Sequence, residues 1–332
     1  MSRKLLTLSL TATLMGGTAF ADTPRVAVDI APVHSLVARV MEGVGTPDLI
    51  IQAGASPHEY SLRPSEAAAL QDANLVFWIG SDLTPWLTDA IETLAPNANV
   101  TELLEADGTI ELEFREGALF EAHDDHSDDD HDDKAHDEHE EEGHDDHSDD
   151  DHDDKAHDEH EHGDHDPHAW LSPQNAMTWM NVIAGQLSAA DPDNAGAYFA
   201  NAAAGRTEIK VLISEITATL NPLRDGRFIV FHDAYQYFET DFNFPASGAI
   251  SISDASDPSP ARIAEIQDRI AKQGIDCVLA EPQFNPGLVA TVLEGSNAQT
   301  GILDPLGSDL KPGSALYPQL IRNLSTALAG CM

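Results

Sequence analysis

The chain is poor in basic residues, in cysteine and in apolar runs long enough for a membrane. Of 332 residues, 17 are Lys or Arg against 58 Asp or Glu, a formal net charge of -41. So little positive charge excludes nucleic acid as a partner and disfavours an anionic membrane surface, while the acidic excess attracts cations. No helix carries an H-E-x-x-H pair and no nucleophile motif is present, so the sequence does not read as an enzyme. The one pronounced apolar run, Leu5 to Met15, is too short to span a bilayer comfortably. It follows Arg3 and Lys4 and precedes Ala19-Phe20-Ala21, the pattern of a secretory signal cleaved after Ala21. No cysteine follows that cleavage site, so no lipid anchor is expected. An exported, soluble, periplasmic chain is the expectation. Only Cys277 and Cys331 remain as thiols. In an oxidising compartment an even pair predicts a disulfide, with two separate buried thiols as the alternative.

What the chain has in excess is histidine, and in one place. Twelve of its sixteen histidines fall between 123 and 165: His123, His126, His131, His136, His139, His144, His147, His152, His157, His160, His162 and His165. Residues 123–140 read HDDHSDDDHDDKAHDEHE, and residues 144–161 repeat them letter for letter. Residues 121–166 alone carry a net charge of -23, leaving -18 for the rest. With almost no apolar residue, this tract cannot bury enough surface to offset its ordering entropy and is expected to be disordered. As a flexible coil of ~40 residues it spans about 35 Å on average. Imidazole interleaved with carboxylate binds zinc, nickel and copper weakly and without geometric selection. A solvated acidic run whose histidines arose by drift is the plainer alternative.

Outside the tract, strand and helix patterns alternate. RVAVDI (25–30), DLIIQAG and LVFWIG (75–80) read as buried strands, with helices from Pro32 to about Met41 and over 64–73 between them. Helices are predicted over about 173–188 and 192–220, separated at Asp191-Pro192. The second, at ~28 residues, would be about 42 Å long, suited to joining two lobes. The alternation restarts with strand RFIVF (227–231), helix 259–274 and strand DCVLAEP (276–282), and closes on a helix over about 318–328. The fold class is α/β: two lobes with parallel sheets joined by a long rigid helix. The expected division is a signal at 1–21, an N-terminal lobe at 22–190 holding the tract, a connecting helix at 191–221 and a C-terminal lobe at 222–332.

Four histidines lie outside the tract: His34, His58, His168 and His232. His58, in SPHEYSLRPS, follows a strand, and His232, in FHDAYQYFE, directly follows RFIVF. Ligands of open α/β sheets collect at the carboxyl ends of strands. His168, in DPHAWLSP, stands where the tract ends and a helix begins. Three neutral imidazoles and one oxygen make a tetrahedral zinc site. An ordinary surface or core role remains the commoner fate of any one histidine. His34, in APVHSLVARV, reads as a helix-first-turn residue rather than a ligand.

Together, SPHEYSLRPS, DPHAWLSP, FHDAYQYFE, AEPQF and LDPLG resemble the metal-binding components of cluster A-I ABC importers, in particular the ZnuA-like zinc proteins. The resemblance runs through the mature chain in order and includes an acidic, histidine-rich loop ahead of DPHAW. It implies two α/β lobes about a rigid helix, with zinc in the cleft on His58, His168 and His232. His232 occupies the slot where manganese-type relatives carry a carboxylate. The fourth ligand is left among Asp304 in LDPLG, Glu59 and water. Tyr60, Trp170 and Phe231 are expected as wall and core, and Glu281 and Asp233 as imidazole acceptors or, more commonly, loop caps. The implied function is periplasmic capture of zinc(II) and its delivery to an inner-membrane permease, as a monomer. Zinc storage without a transporter, and a zinc hydrolase using Glu59 as base, are the alternatives.

Overall fold

The computed structural model describes residues 23–115, 120, 165–251 and 258–332. The signal (1–21) and the tract histidines from His123 to His162 lie outside the described residues; His165 lies within them.

Two parallel sheets organise the chain. The first holds β1 (Val26–Val28), β2 (Asp48–Leu49), β3 (Leu75–Trp78) and β4 (Asn99–Glu102) in the order β2-β1-β3-β4. The second holds β5 (Phe228–His232), β6 (Ala249–Ser251), β7 (Cys277–Ala280) and β8 (Gln299–Ile302) in the order β6-β5-β7-β8. Each central strand is apolar throughout or nearly so, and β1, β3 and β5 are buried along their whole length. That is the signature of parallel strands covered on both faces. Helices α1 (Ala31–Val40), α2 (Pro64–Asp72) and α3 (Pro85–Leu94) cross over in the first sheet. The corresponding helices of the second are α6 (Gln236–Phe242), α7 (Pro260–Gln273) and α8 (Pro286–Leu293).

Helix boundaries follow local chemistry. Proline opens α2, α3, α7 and α8, where its missing N–H costs nothing. Ser259 Oγ caps α7 by accepting from Arg262 N at 3.2 Å. The same helix stops at Gly274, whose φ of +65° suits a residue without Cβ.

Between the sheets run α4 (Pro173–Ala190) and α5 (Ala195–Leu220), linked by a 3-10 turn at Pro192–Asn194. The break predicted at Asp191-Pro192 is real, and Asp191 holds it by accepting from Asn194 Nδ2 and Tyr198 Oη. Helix α5 packs along α4, α1 and α9 (Leu316–Cys331), so it is a buttressed spine. Helix α9 is longer than the sequence suggested at both ends. Its amphipathic face returns to the first half, where Tyr317 N donates to Ser35 Oγ at 2.9 Å. One hydrophobic core therefore runs from Val28 through Trp170 and Leu212 to Phe228 and Leu324. Cys277 and Cys331 form the predicted disulfide, Cα to Cα 5.7 Å, stapling the start of β7 to the end of α9.

Candidate metal centre

The carboxyl ends of the two sheets converge on one cavity, lined by His58, His168 and His232 with Ser56, Pro57, Trp170, Glu281, Gln283, Phe284, Pro305 and Leu306. His232 is the last residue of β5 and is buried. Its Nδ1 lies 2.6 Å from Glu281 Oε1, and its backbone N–H donates to the same oxygen at 3.3 Å. Glu281 directly follows β7, the strand paired with β5, so strand pairing itself sets this contact. The sequence weighed Glu281 chiefly as a loop cap; here it orients an imidazole. Burial pushes its carboxyl up, and His232 counters part of that rise.

His168 is buried in the same way. Its Nδ1 stands 2.7 Å from Asp166 Oδ1, and its backbone N–H donates to that oxygen at 3.0 Å. Asp166 is anchored in turn: its N–H donates to Leu112 O at 2.8 Å and its carbonyl accepts from Tyr237 Oη at 2.8 Å. Burial raises its carboxyl to about 7, against the His168 backbone N–H and the Arg115 and His232 charges. Asp166 was not anticipated, although its position two residues before the histidine in DPH was the available signal.

A neutral imidazole whose Nδ1–H donates to a carboxylate presents its Nε2 lone pair. The Nε2 atoms of His168 and His232 face one another at 3.4 Å. Zinc–nitrogen bonds of about 2.05 Å at a tetrahedral angle separate two donors by about 3.3 Å, the spacing seen here.

His58 differs. It is half-buried on the segment after β2, with its ring centroid 5.5 Å from that of His168. The segment is pinned on both sides: Trp86 Nε1 donates to Pro57 O at 2.8 Å, and Tyr60 Oη donates to the buried Glu66 at 2.8 Å. Among the described residues no set of three or more His, Cys, Asp or Glu side chains already surrounds an ion-sized point. Two imidazoles stand at coordination spacing, and the third faces them across the cavity.

The other sequence candidates fall elsewhere. Glu59 is exposed and does not line the cavity. Asp304 follows β8 but its carboxylate is turned into its own loop: Oδ1 accepts from Leu306 N and Gly307 N at 3.0 Å, and Oδ2 from Ser308 N at 2.6 Å. His34 sits in α1 with Nε2 3.1 Å from Pro47 O, away from the cavity lining. His165, the last tract histidine, lies in a separate acidic cleft beside Asp82, Glu102, Glu105 and Glu111. Of the expected wall residues, Trp170 lines the cavity, while Phe231 stacks behind Phe284, which does.

Asp233, next to His232, does not reach an imidazole. It pairs with Arg115, which also donates to Glu239 Oε2 at 2.7 Å. Arg115 comes from the strap leading into the tract, whereas both carboxylates belong to the β5–α6 segment. Burial opposes the Arg115 charge, but hydrogen bonds to Asp233 and Glu239 outweigh it and keep the guanidinium charged. This ion network was invisible in sequence because its partners are 118 and 124 residues apart.

Two parallel α/β halves braced by a spine helix, with an imidazole-lined cavity where their strands end, define a two-lobed ligand-binding protein. The family model described as ZnuA, zinc-uptake complex component A, periplasmic, matches residues 26–331, and the chain belongs to that family. It is 47% identical to the high-affinity zinc uptake system protein ZnuA of Brucella abortus (strain 2308), over 96% of this chain and 94% of that protein. The protein of the same description from Paracoccus denitrificans is 45% identical, over 94% and 93%. Among solved structures, a crystal structure of ZnuA matches with a TM-score of 0.71 at 22% identity, covering 93% of this chain and 99% of that one. The binding protein FpvC of Pseudomonas aeruginosa, in complex with Mn2+, matches with a TM-score of 0.71 at 21% identity, over 93% and 98%. At such identity these two likenesses establish the fold.

Proposed function

We propose that the protein captures zinc(II) in the periplasm and delivers it to the permease of an ABC importer. His58, His168 and His232 hold the ion. The observation that carries this reading is the His168–His232 pair, two Nε2 atoms 3.4 Å apart with both Nδ1 atoms tied to buried carboxylates. Two imidazole nitrogens at this spacing match the donor separation of a tetrahedral zinc site. Imidazole donors suit zinc and disfavour magnesium and calcium, which require oxygen cages. Asp166 and Glu281 orient the ligand imidazoles and raise their basicity. Trp170, Phe284 and Leu306 thin the water around the ion.

The role is binding and transfer rather than catalysis, since exposed Glu59 is no placed base. Storage without a transporter is not favoured, because the relatives are described as zinc uptake proteins. No helix among the described residues is long and apolar enough to cross a membrane. The tract histidines act as weak accessory sites that raise local zinc concentration near the cavity. Chelator competition on the full chain tests the reading: one tight zinc per molecule is expected, lost in His232→Ala. Wild-type affinity in that variant overturns the cavity as the site. Zinc accumulation in cells that carries on unchanged without this protein, under zinc limitation, overturns delivery.

A further inference from the structure

The fourth side of the cavity holds a polar group that the three-histidine reading does not use. Gln283 lines the cavity. Its Nε2 donates to Asp304 Oδ1 at 3.4 Å and to Ser308 Oγ at 3.3 Å. Its Oε1 is shielded from solvent and accepts no hydrogen bond among the described residues. A buried carbonyl oxygen left so opposes folding, which a protein tolerates where a ligand later satisfies it.

The amide orientation is dictated, not incidental. Asp304 offers only acceptors, so the branch of the amide facing it must be the NH2. Ser308 Oγ donates to Asp304 Oδ2 at 2.8 Å, which commits its proton and leaves it an acceptor toward Gln283. Reversing the amide would set its oxygen against the carboxylate. Asp304 is itself immobilised by three backbone N–H groups of residues 306–308. The LDPLG turn is thus a rigid template that turns one carbonyl oxygen away from itself.

We propose that Gln283 governs the fourth coordination position: its Oε1 accepts a hydrogen bond from a water bound to the metal, and Asp304 acts through Gln283 as a positioning residue. This rests on the three-histidine reading above. It explains how a carboxylate committed to its own turn contributes to the site without touching the ion. A water ligand held by a neutral amide leaves more readily than a carboxylate, which suits a protein that must surrender its metal.

The test uses the full chain with Gln283→Met, which keeps side-chain volume and removes the acceptor. Zinc affinity by chelator competition is expected to fall about tenfold. The visible spectrum of the cobalt(II)-loaded protein is expected to shift, because the fourth donor has changed. The melting temperature of the metal-free protein is expected to stay level or rise, because an unsatisfied oxygen has gone. Asp304→Asn is expected to weaken zinc binding in the wild-type background and to add nothing to Gln283→Met. Wild-type zinc affinity and cobalt spectrum in Gln283→Met overturn the proposal. So does a lower metal-free melting temperature with an unchanged cobalt spectrum, which marks a packing role. An Asp304→Asn effect of equal size in both backgrounds overturns the positioning claim. His168→Ala and His232→Ala separate the two readings: if they abolish binding while Gln283→Met binds normally, only this inference fails, and if they too bind normally, the three-histidine site fails.

Discussion

The two sides of the cavity are built differently. His168 and His232 are buried, and each has a buried carboxylate at its Nδ1 within 2.7 Å. His58 is half-buried on a loop secured through its neighbours Pro57 and Tyr60. Electrostatic and donor interactions are screened less by water at a buried position than at a half-buried one. On the three-histidine site proposed above, the buried pair is therefore expected to carry the larger share of the affinity and His58 the smaller.

The sharpest way to break this comparison is to remove each ligand. His168→Ala or His232→Ala should weaken zinc binding by at least about a hundredfold. His58→Ala should cost less, about tenfold, because its ring is only half-buried and water screens it more. Chelator competition ranks them, and a larger loss in His58→Ala than in the other two overturns the assignment of roles.

The next largest effect falls behind the pair. Arg115→Met leaves Asp233 and Glu239 as buried carboxylates without their cation, and their side chains are only 8% and 5% exposed. Uncompensated buried charge of this kind costs about 3–5 kcal/mol. Urea unfolding of the metal-free protein should show it, and a loss under about 1 kcal/mol would mean that the network relaxes freely.

Removing the carboxylate orienters should weaken zinc binding by about 10–100-fold without unfolding the protein. Asp166→Asn and Glu281→Gln are the gentler forms, since each keeps an acceptor for the imidazole N–H. Their affinities should fall between wild type and Glu281→Leu. Equal affinity across all of them would show that strand geometry alone aims the imidazoles.

The smallest expected effect comes from the histidine outside the cavity. Burial holds the His34 ring below its usual 6.5, against its contacts with Pro47 O and Asp48. The unfolded chain then binds the proton more readily than the folded one. Its contribution to stability is present above about pH 6.5 and is lost as the pH falls below that value. His34→Gln should flatten the stability profile of the metal-free protein below about pH 6.5, with no change in zinc affinity near neutral pH. A zinc affinity that falls with this substitution would bring His34 into the site.

Much of this was legible before folding. The alternation of buried strand and helix in RVAVDI, LVFWIG, RFIVF and DCVLAEP announced parallel sheets, because a strand covered on both faces is apolar throughout. The Asp191-Pro192 break and the long α5 followed from proline's missing donor and an Ala-rich run. Six elements escaped notice: α6, α8, β4, β6 and β8 span 3 to 8 residues, too few for a period to show, and α3, at 10 residues, was missed despite its length. Helix α9 outran its expected span because its packing on α1 and α5 sustains it.

By itself, then, the sequence determined the inventory: which segments bury, where the chain breaks, that three separated histidines follow or flank such segments, and that two thiols stand ready to pair. Tertiary structure decided the rest, because it depends on residues far apart in the chain. Pairing of β5 with β7 put Glu281 on His232, the strap at Arg115 crossed to Asp233 and Glu239, and the turn at Asp304 aimed Gln283 rather than reaching the cavity itself. Hydrogen-bond partners at separations of 21 to 124 residues leave no local period or spacing to read. Residue type can name a ligand, but only the folded chain shows which atom it presents and what holds that atom in place.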